Sequence, residues 1–213
     1  MGLKLADYDV LQRVAKETGF DFDQLSNMYF AESSVRSDIV NPKGYVGGFQ
    51  FGKDTGEEYG LVGEGFDYRK DLKRSAHAAI DMTRANLRDK VIGTSSNWSL
   101  SGKYSKLGID ENLAGYLAHQ QGRKGFIDII TGIESGNISE STRTNMLANI
   151  GDNDWSKLSN KELSGKFLGF WKGRYAEKVK EAENWRKQNI ARIDRESLKP
   201  DDAVMDSIGQ IQP

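Results

Sequence analysis

The chain has 213 residues, of which 37% are hydrophobic and 29% are charged, a composition typical of a globular protein with one sizeable domain. Its 30 Lys and Arg against 31 Asp and Glu give a net charge of −1, which argues against a dedicated nucleic-acid-binding protein because such proteins carry a basic excess. The absence of cysteine excludes disulfide bonds and thiolate metal sites. No apolar run approaches the ~18 residues of a membrane span.

Helical periodicity and helix-capping residues predict an all-α chain. The segments predicted to be helical are 7–18, 21–33, 53–60, 71–91, 110–122, 140–150 and 160–195, the last as one or two helices. The predicted N-terminal caps are Asp7, Asp21 or Asp23, Asp54 or Thr55, Asp110 and Asn160.

The remaining segments contain turn-forming residues. Residues 34–52 are rich in glycine and leave room for a short strand or hairpin, whereas 60–65 and 93–108 are predicted to be loops. Residues 125–131 are predicted to be a short apolar turn. Residues 152–162 resemble a calcium loop, but Lys157 takes the place of its glycine and Glu162 falls one position early, so a turn and a helix cap are predicted.

Residues 1–196 are expected to form one domain, and 197–213 a disordered tail or a linker. The N-terminus has acids where a signal peptide has its apolar core, so we expect no signal peptide.

Glu32 is the residue most suited to chemistry. It follows the run Met28–Ala31 at the predicted end of a helix, so burial among apolar neighbours would raise its pKa. The negative end of the helix dipole acts in the same direction. Both effects favour a general acid that keeps its proton near neutral pH. The competing interpretation is an exposed glutamate at a frayed helix end.

Four further motifs follow Glu32-Ser33 in a recognisable order. They are Asn41-Pro42-Lys43-Gly44 leading to Gly47-Gly48-Phe49-Gln50 and Thr55, then Asp67–Leu72, Ala118-His119-Gln120-Gln121-Gly122 and Arg174–Val179. Together they resemble the soluble lytic transglycosylase domain of the lysozyme superfamily over roughly residues 20–180, including the 18-residue step from Glu32 to Gln50. The A-H-Q-Q-G form is similar to that of phage virion and tail-associated members. Without a signal peptide, such a chain is expected to reach the cell wall in a virion, through a secretion machine, after cell lysis or as part of a larger polypeptide.

This resemblance implies a lysozyme-like helical domain with a small loop or hairpin region beside a peptidoglycan-binding groove. It implies a lyase that cleaves the MurNAc-GlcNAc bond and leaves 1,6-anhydro-MurNAc ends, without a metal or cofactor. Glu32 would act as acid and then base. Substrate contacts would come from Ser33, Gly48, Phe49, Gln50, His119 and Gln120, and Tyr175 would hold Glu32 in place.

Several alternatives stay open. A muramidase would need a second acid, for which Asp38, Glu57, Glu58 and Asp67 are candidates. A glycan-binding module without activity would also account for the altered G-G-F-Q and A-H-Q-Q-G motifs. Phe49 and Tyr175 are equally suited to the core. The mixed charges of residues 172–195 suit a solvated helix face or a partner-binding helix.

Overall fold

The structure, a computed structural model, describes residues 5–87, 102–150 and 153–197. The all-α prediction is confirmed, because the described residues are mostly helical and contain one small hairpin. The elements are α1 (Leu5–Thr18), α2 (Phe22–Ser33), α3 (Lys53–Glu58), β1 (Val62–Gly63), β2 (Phe66–Asp67), α4 (Leu72–Leu87), α5 (Gly102–Lys106), α6 (Glu111–Ser135), α7 (Glu140–Ile150), a 3₁₀ helix (Asn153–Lys157) and α8 (Asn160–Ser197).

Two of the predicted helix caps are confirmed. The carboxylate of Asp21 accepts a hydrogen bond of 2.6 Å from the first turn of α2, and that of Asp110 accepts one of 2.8 Å from the first turn of α6. Asp7 does not cap α1, because that helix already begins at Leu5. Its buried carboxylate instead accepts a hydrogen bond of 2.8 Å from the Tyr29 hydroxyl and so ties α1 to α2.

The other predicted caps lie inside their helices. Gly52 precedes α3 and offers no side-chain cap, so neither Asp54 nor Thr55 has that role. At α8 the cap is Ser159, whose hydroxyl oxygen accepts a hydrogen bond from the Glu162 backbone N–H, while the Glu162 carboxylate accepts one from the Ser159 N–H. This capping box assigns Glu162 to the start of a helix.

The apolar turn predicted at 125–131 is wrong, because α6 continues through this segment. Gly122, with φ 67° and ψ 156°, breaks the helix direction at the predicted end, and the chain then resumes helical geometry. Burial of Phe126, Ile129 and Ile130 stabilises this second part. The helix ends at Gly136, whose φ of 76° suits a left-handed cap.

Other segments differ in detail from the sequence prediction. The predicted loop 60–65 contains β1, which pairs antiparallel with β2, and α5 lies within the predicted loop 93–108. Within 34–52, Val46 bridges both Val40 and Phe51, the short strand pairing that the sequence left room for. The helix predicted at 71–91 is observed to Leu87. Its last residues, and the tail after Ser197, lie outside the described residues.

Two hydrophobic clusters share α8. The first combines α1, α2 and α4, with Leu11, Tyr29 and Ile80 almost fully buried. The second combines α6, α7 and the first half of α8, including Phe126 and Trp171. α8 reaches both clusters because it continues as one helix, and it packs against both α2 and α6. The end of α2 and the middle of α6 therefore come close to each other where the two clusters meet. No described helix is long and apolar enough to cross a membrane.

Residues 172–195 of α8 have one buried and one charged face. Tyr175, Ala182 and Trp185 are buried, and Arg186 donates hydrogen bonds to Ser26 Oγ at 2.6 Å and Asn27 Oδ1 at 2.8 Å. Residues 172–195 therefore pack against α2 through one face.

Candidate active site

A groove of about 840 Å³ lies where the end of α2, the loop before α3, and helices α4, α6, α7 and α8 meet. Its volume is within the range of small-ligand sites. Much of its lining consists of carboxamides and aromatic rings: Asn41, Tyr45, Gln50, Phe51, Tyr59, Asn86, Tyr116, Gln120, Gln121, Asn145, Asn149 and Trp171. Carboxamides bind hydroxyl groups by donating and accepting hydrogen bonds, and aromatic faces pack against apolar C–H surfaces, so this lining suits a carbohydrate.

Glu32 lies in the wall of this groove, on the last turn of α2. Its side chain is 6% exposed, which excludes the alternative of an exposed glutamate at a frayed end. Burial raises the pKa of the Glu32 carboxyl, and this effect exceeds the opposing influence of the His119 ring, the Gln120 amide and the Arg174 charge. The carboxyl therefore holds its proton to higher pH than a glutamate in water.

Gln120 holds the Glu32 carboxyl in position. Its Nε2 donates to both carboxyl oxygens, at 3.0 Å to Oε1 and 3.1 Å to Oε2. The two residues are 88 positions apart in the sequence, and the contact joins the end of α2 to the middle of α6. Of the expected substrate-contacting residues, Gln120 is the one bonded directly to the acid.

His119 also approaches Glu32, but its hydrogen bond goes elsewhere. Its Nε2 lies 3.0 Å from the Phe49 carbonyl oxygen and 3.8 Å from Glu32 Oε1. A carbonyl only accepts, so Nε2 carries the proton in this arrangement. The His119 ring also packs edge-on against Phe51 at 5.7 Å between ring centres. His119 thus fixes the glycine-rich loop to α6 and lines the groove at the same time.

Gln50 lines the groove in a constrained loop. Its φ of 49° is unusual for a residue with a side chain, and its Nε2 donates to the Gly47 carbonyl at 2.8 Å. A Cβ at Gly47 would overlap the Arg69 carbonyl oxygen, and one at Gly48 would overlap the Tyr29 ring. The glycines of G-G-F-Q are therefore required by close backbone packing.

Four expected site residues lie behind the groove lining. Gly48 and Phe49 are buried, and the Phe49 ring packs against Tyr29 at 5.7 Å between ring centres. The Ser33 hydroxyl donates to the Tyr29 carbonyl at 3.0 Å and accepts from the Arg36 backbone N–H at 3.2 Å, which closes the end of α2. Both hydrogen-bonding roles of Ser33 are thereby used by the backbone.

The fourth of these residues, Tyr175, reaches the site through a second tyrosine. It is buried and stacks on Tyr116, with 4.7 Å between ring centres and 21° between planes. Tyr116 lines the groove, and burial followed by the Glu32 charge raises the pKa of its hydroxyl. Tyr175 therefore supports the ring that faces the acid.

Sequence reasoning missed Tyr116 and Arg174 as groove residues. Tyr116 precedes His119 and Gln120 by three and four positions, the spacing that places side chains on one helix face. Arg174 directly precedes Tyr175 in the last motif. Both signals were present, but neither indicates which helix face borders a groove.

Among the four acids considered as partners for Glu32, only Glu58 lines the groove. Asp67 is paired with Arg69 at 2.6 Å, Glu57 lies 3.8 Å from Lys53, and Asp38 is exposed. Across the described residues, no cluster of three or more His, Asp or Glu side chains is arranged to hold a metal ion.

A scan against family models finds no match, and comparisons with curated proteins and with solved structures find none either. The chemistry of the groove therefore carries the functional conclusion.

Proposed function

We propose that this chain is a peptidoglycan lytic transglycosylase with a lysozyme-like helical domain. The observation that carries the proposal is one buried carboxyl, Glu32, held through both oxygens by Gln120 in the wall of an 840 Å³ groove lined by carboxamides and aromatic rings. The resemblance of the motifs around Glu32, Gln50, His119 and Tyr175 to that family supports it further.

The first step uses the raised pKa of Glu32. The carboxyl group donates its proton to the glycosidic oxygen while the bond from that oxygen to C1 of MurNAc breaks, and the GlcNAc part of the strand leaves with a hydroxyl group. Gln120 keeps the carboxyl oriented toward one position throughout, and its N–H bonds stabilise the carboxylate that this step creates.

In the second step the same carboxylate takes the proton from the C6 hydroxyl of MurNAc. That oxygen attacks C1 and closes the 1,6-anhydro ring, and Glu32 regains its proton. No water is consumed, so one carboxyl suffices. His119 and Gln50 maintain the groove wall around this centre through the Phe49 and Gly47 carbonyls.

Glu58 is the observation that favours a second candidate, a muramidase acting on the same bond. A hydrolase of this kind uses a second carboxylate as base or nucleophile. Among the described residues that line the groove, Glu58 is the acid besides Glu32. Under this alternative Glu58 would be essential and the products would carry reducing ends.

The experiment is digestion of purified peptidoglycan followed by mass spectrometry of the released fragments. We expect anhydro-muramic ends from the wild type and from Glu58→Gln. The rate of Glu32→Gln should be lower by about 10²–10⁴-fold, which is the contribution of a general acid. Glu57→Gln is the matched control for Glu58→Gln. It removes an exposed acid from α3, the helix that also contains Glu58, and should keep the wild-type rate. Circular dichroism checks that all variants fold.

Three results would contradict the proposal in different ways. Undiminished release by Glu32→Gln would remove Glu32 from the mechanism. Reducing ends in the products of the wild type, and no such products from Glu58→Gln, would establish the muramidase. Binding to peptidoglycan without any soluble product would leave a glycan-binding module. We place the activity in local penetration of the cell wall, with the protein delivered in a virion or by a secretion machine.

A further inference from the structure

Arg174 lines the groove and forms no ion pair with any residue in the described part of the chain. Its guanidinium carbon lies 5.6 Å from the centre of the Trp171 ring, and its side chain makes no hydrogen bond with any residue of the described ranges. Its charge acts on two groove residues, Glu32 and Tyr116. The five N–H donors of the guanidinium are thus available beside the acid.

Lys43 also lines this groove. The ammonium of Lys43, in the loop before α3, has no ion-pair partner among the described residues. The whole chain has a net charge of −1, so a basic composition does not explain this placement. Arginine is suited to binding a carboxylate because its planar N–H groups match the two carboxylate oxygens.

We propose that Arg174 binds a carboxylate of the substrate, so that the groove prefers glycan whose muramoyl units carry a free lactyl carboxylate next to the cleaved bond. This rests on the proposed function, since it names the form of peptidoglycan cleaved at Glu32. In peptidoglycan the lactyl carboxyl is free only where the stem peptide has been removed. The preferred substrate is therefore peptide-free glycan, the product of an amide-cleaving reaction on the wall.

The proposal couples substrate binding to the state of Glu32. The free guanidinium favours the Glu32 anion. A bound carboxylate would neutralise that charge and so favour the protonated acid that the first step needs. A substrate whose carboxylate contacts Arg174 would then bind to the form of the protein in which Glu32 is protonated.

Carboxylates of the stem peptide are a second source of the same chemistry, and the test separates the two. The probes are a peptide-free GlcNAc-MurNAc tetrasaccharide, the same compound with its lactyl carboxyls converted to methyl amides, and a tetrasaccharide carrying short acidic stem peptides. Titration calorimetry measures each dissociation constant in the Glu32→Gln background, which prevents turnover.

We expect the free tetrasaccharide to bind about two- to fivefold more tightly than its amide, the modest effect of an ion pair that is open to water. Adding Arg174→Gln should bring this ratio close to one, and Arg174→Lys should retain part of it. Adding Lys180→Gln, which removes an exposed charge from the same helix outside the groove lining, should leave the ratio unchanged.

Equal affinities for the free and amidated compounds, no measurable binding of either, or a ratio that survives Arg174→Gln would each overturn the inference. Tightest binding of the peptide-bearing compound, lost in Arg174→Gln, would overturn the assignment to the lactyl group. Failure of the proposed function is recognised by a different result. In that case the wild type releases no soluble product when it is incubated with peptidoglycan.

Discussion

Replacement of Gln120 by leucine tests whether the Gln120–Glu32 contact stabilises a carboxylate in the groove. One amide nitrogen donates to both oxygens of an almost fully buried side chain. A hydrogen bond to a charged group contributes about 1.5–3 kcal/mol, and one between neutral groups about 0.5–1.5 kcal/mol. Gln120→Leu should therefore destabilise the fold by roughly 1 kcal/mol more when Glu32 is ionised than when it is protonated.

The raised pKa of Glu32 determines how the stability cost of Gln120→Leu changes with pH. The folded carboxyl holds its proton to higher pH than the unfolded one, so its contribution to stability is complete below the unfolded pKa of about 4.3 and is lost as pH rises through the folded pKa. Gln120 favours the anion, and its removal raises the folded pKa further. The cost of Gln120→Leu must then grow with rising pH.

Urea unfolding followed by tryptophan fluorescence measures this cost at about pH 4 and about pH 8.5. The double variant Glu32→Gln/Gln120→Leu, compared with Glu32→Gln, is the control, since no carboxyl titrates there and the cost should not change with pH. A cost of Gln120→Leu that is equal at both pH values would refute the reasoning. The same raised pKa predicts that the alkaline fall in kcat/KM moves to higher pH in Gln120→Leu.

The remaining predictions concern the loop that borders the groove. His119→Ala removes the hydrogen bond to the Phe49 carbonyl and should lower the free energy of unfolding in urea by about 1 kcal/mol. Amide hydrogen exchange should become faster only in residues 47–51, and unchanged exchange there would contradict the anchoring role of His119. Gly48→Ala should destabilise by more than about 2 kcal/mol because its Cβ would overlap the Tyr29 ring. Gly165→Ala, in open space on α8, should instead stabilise by up to about 1 kcal/mol, and similar effects of both changes would refute this steric argument.

The sequence alone determined the features that depend on neighbouring residues. Asp21 and Asp110 begin their helices because a short acidic side chain reaches N–H groups only three residues away. Residues close in the sequence also determine the helical class, the glycine turn before α3 and the position of Glu32 after an apolar run. These features could therefore be predicted.

Only the tertiary structure decided what Glu32 faces. Its contact with Gln120 spans 88 residues, and it exists because α8 packs against both clusters and brings α2 to α6. The same packing turned the Phe49 ring into the core and placed Arg174 in the groove lining. Periodicity gives the apolar face of a helix, but which neighbour covers that face, and where a groove stays open, depends on contacts between distant segments.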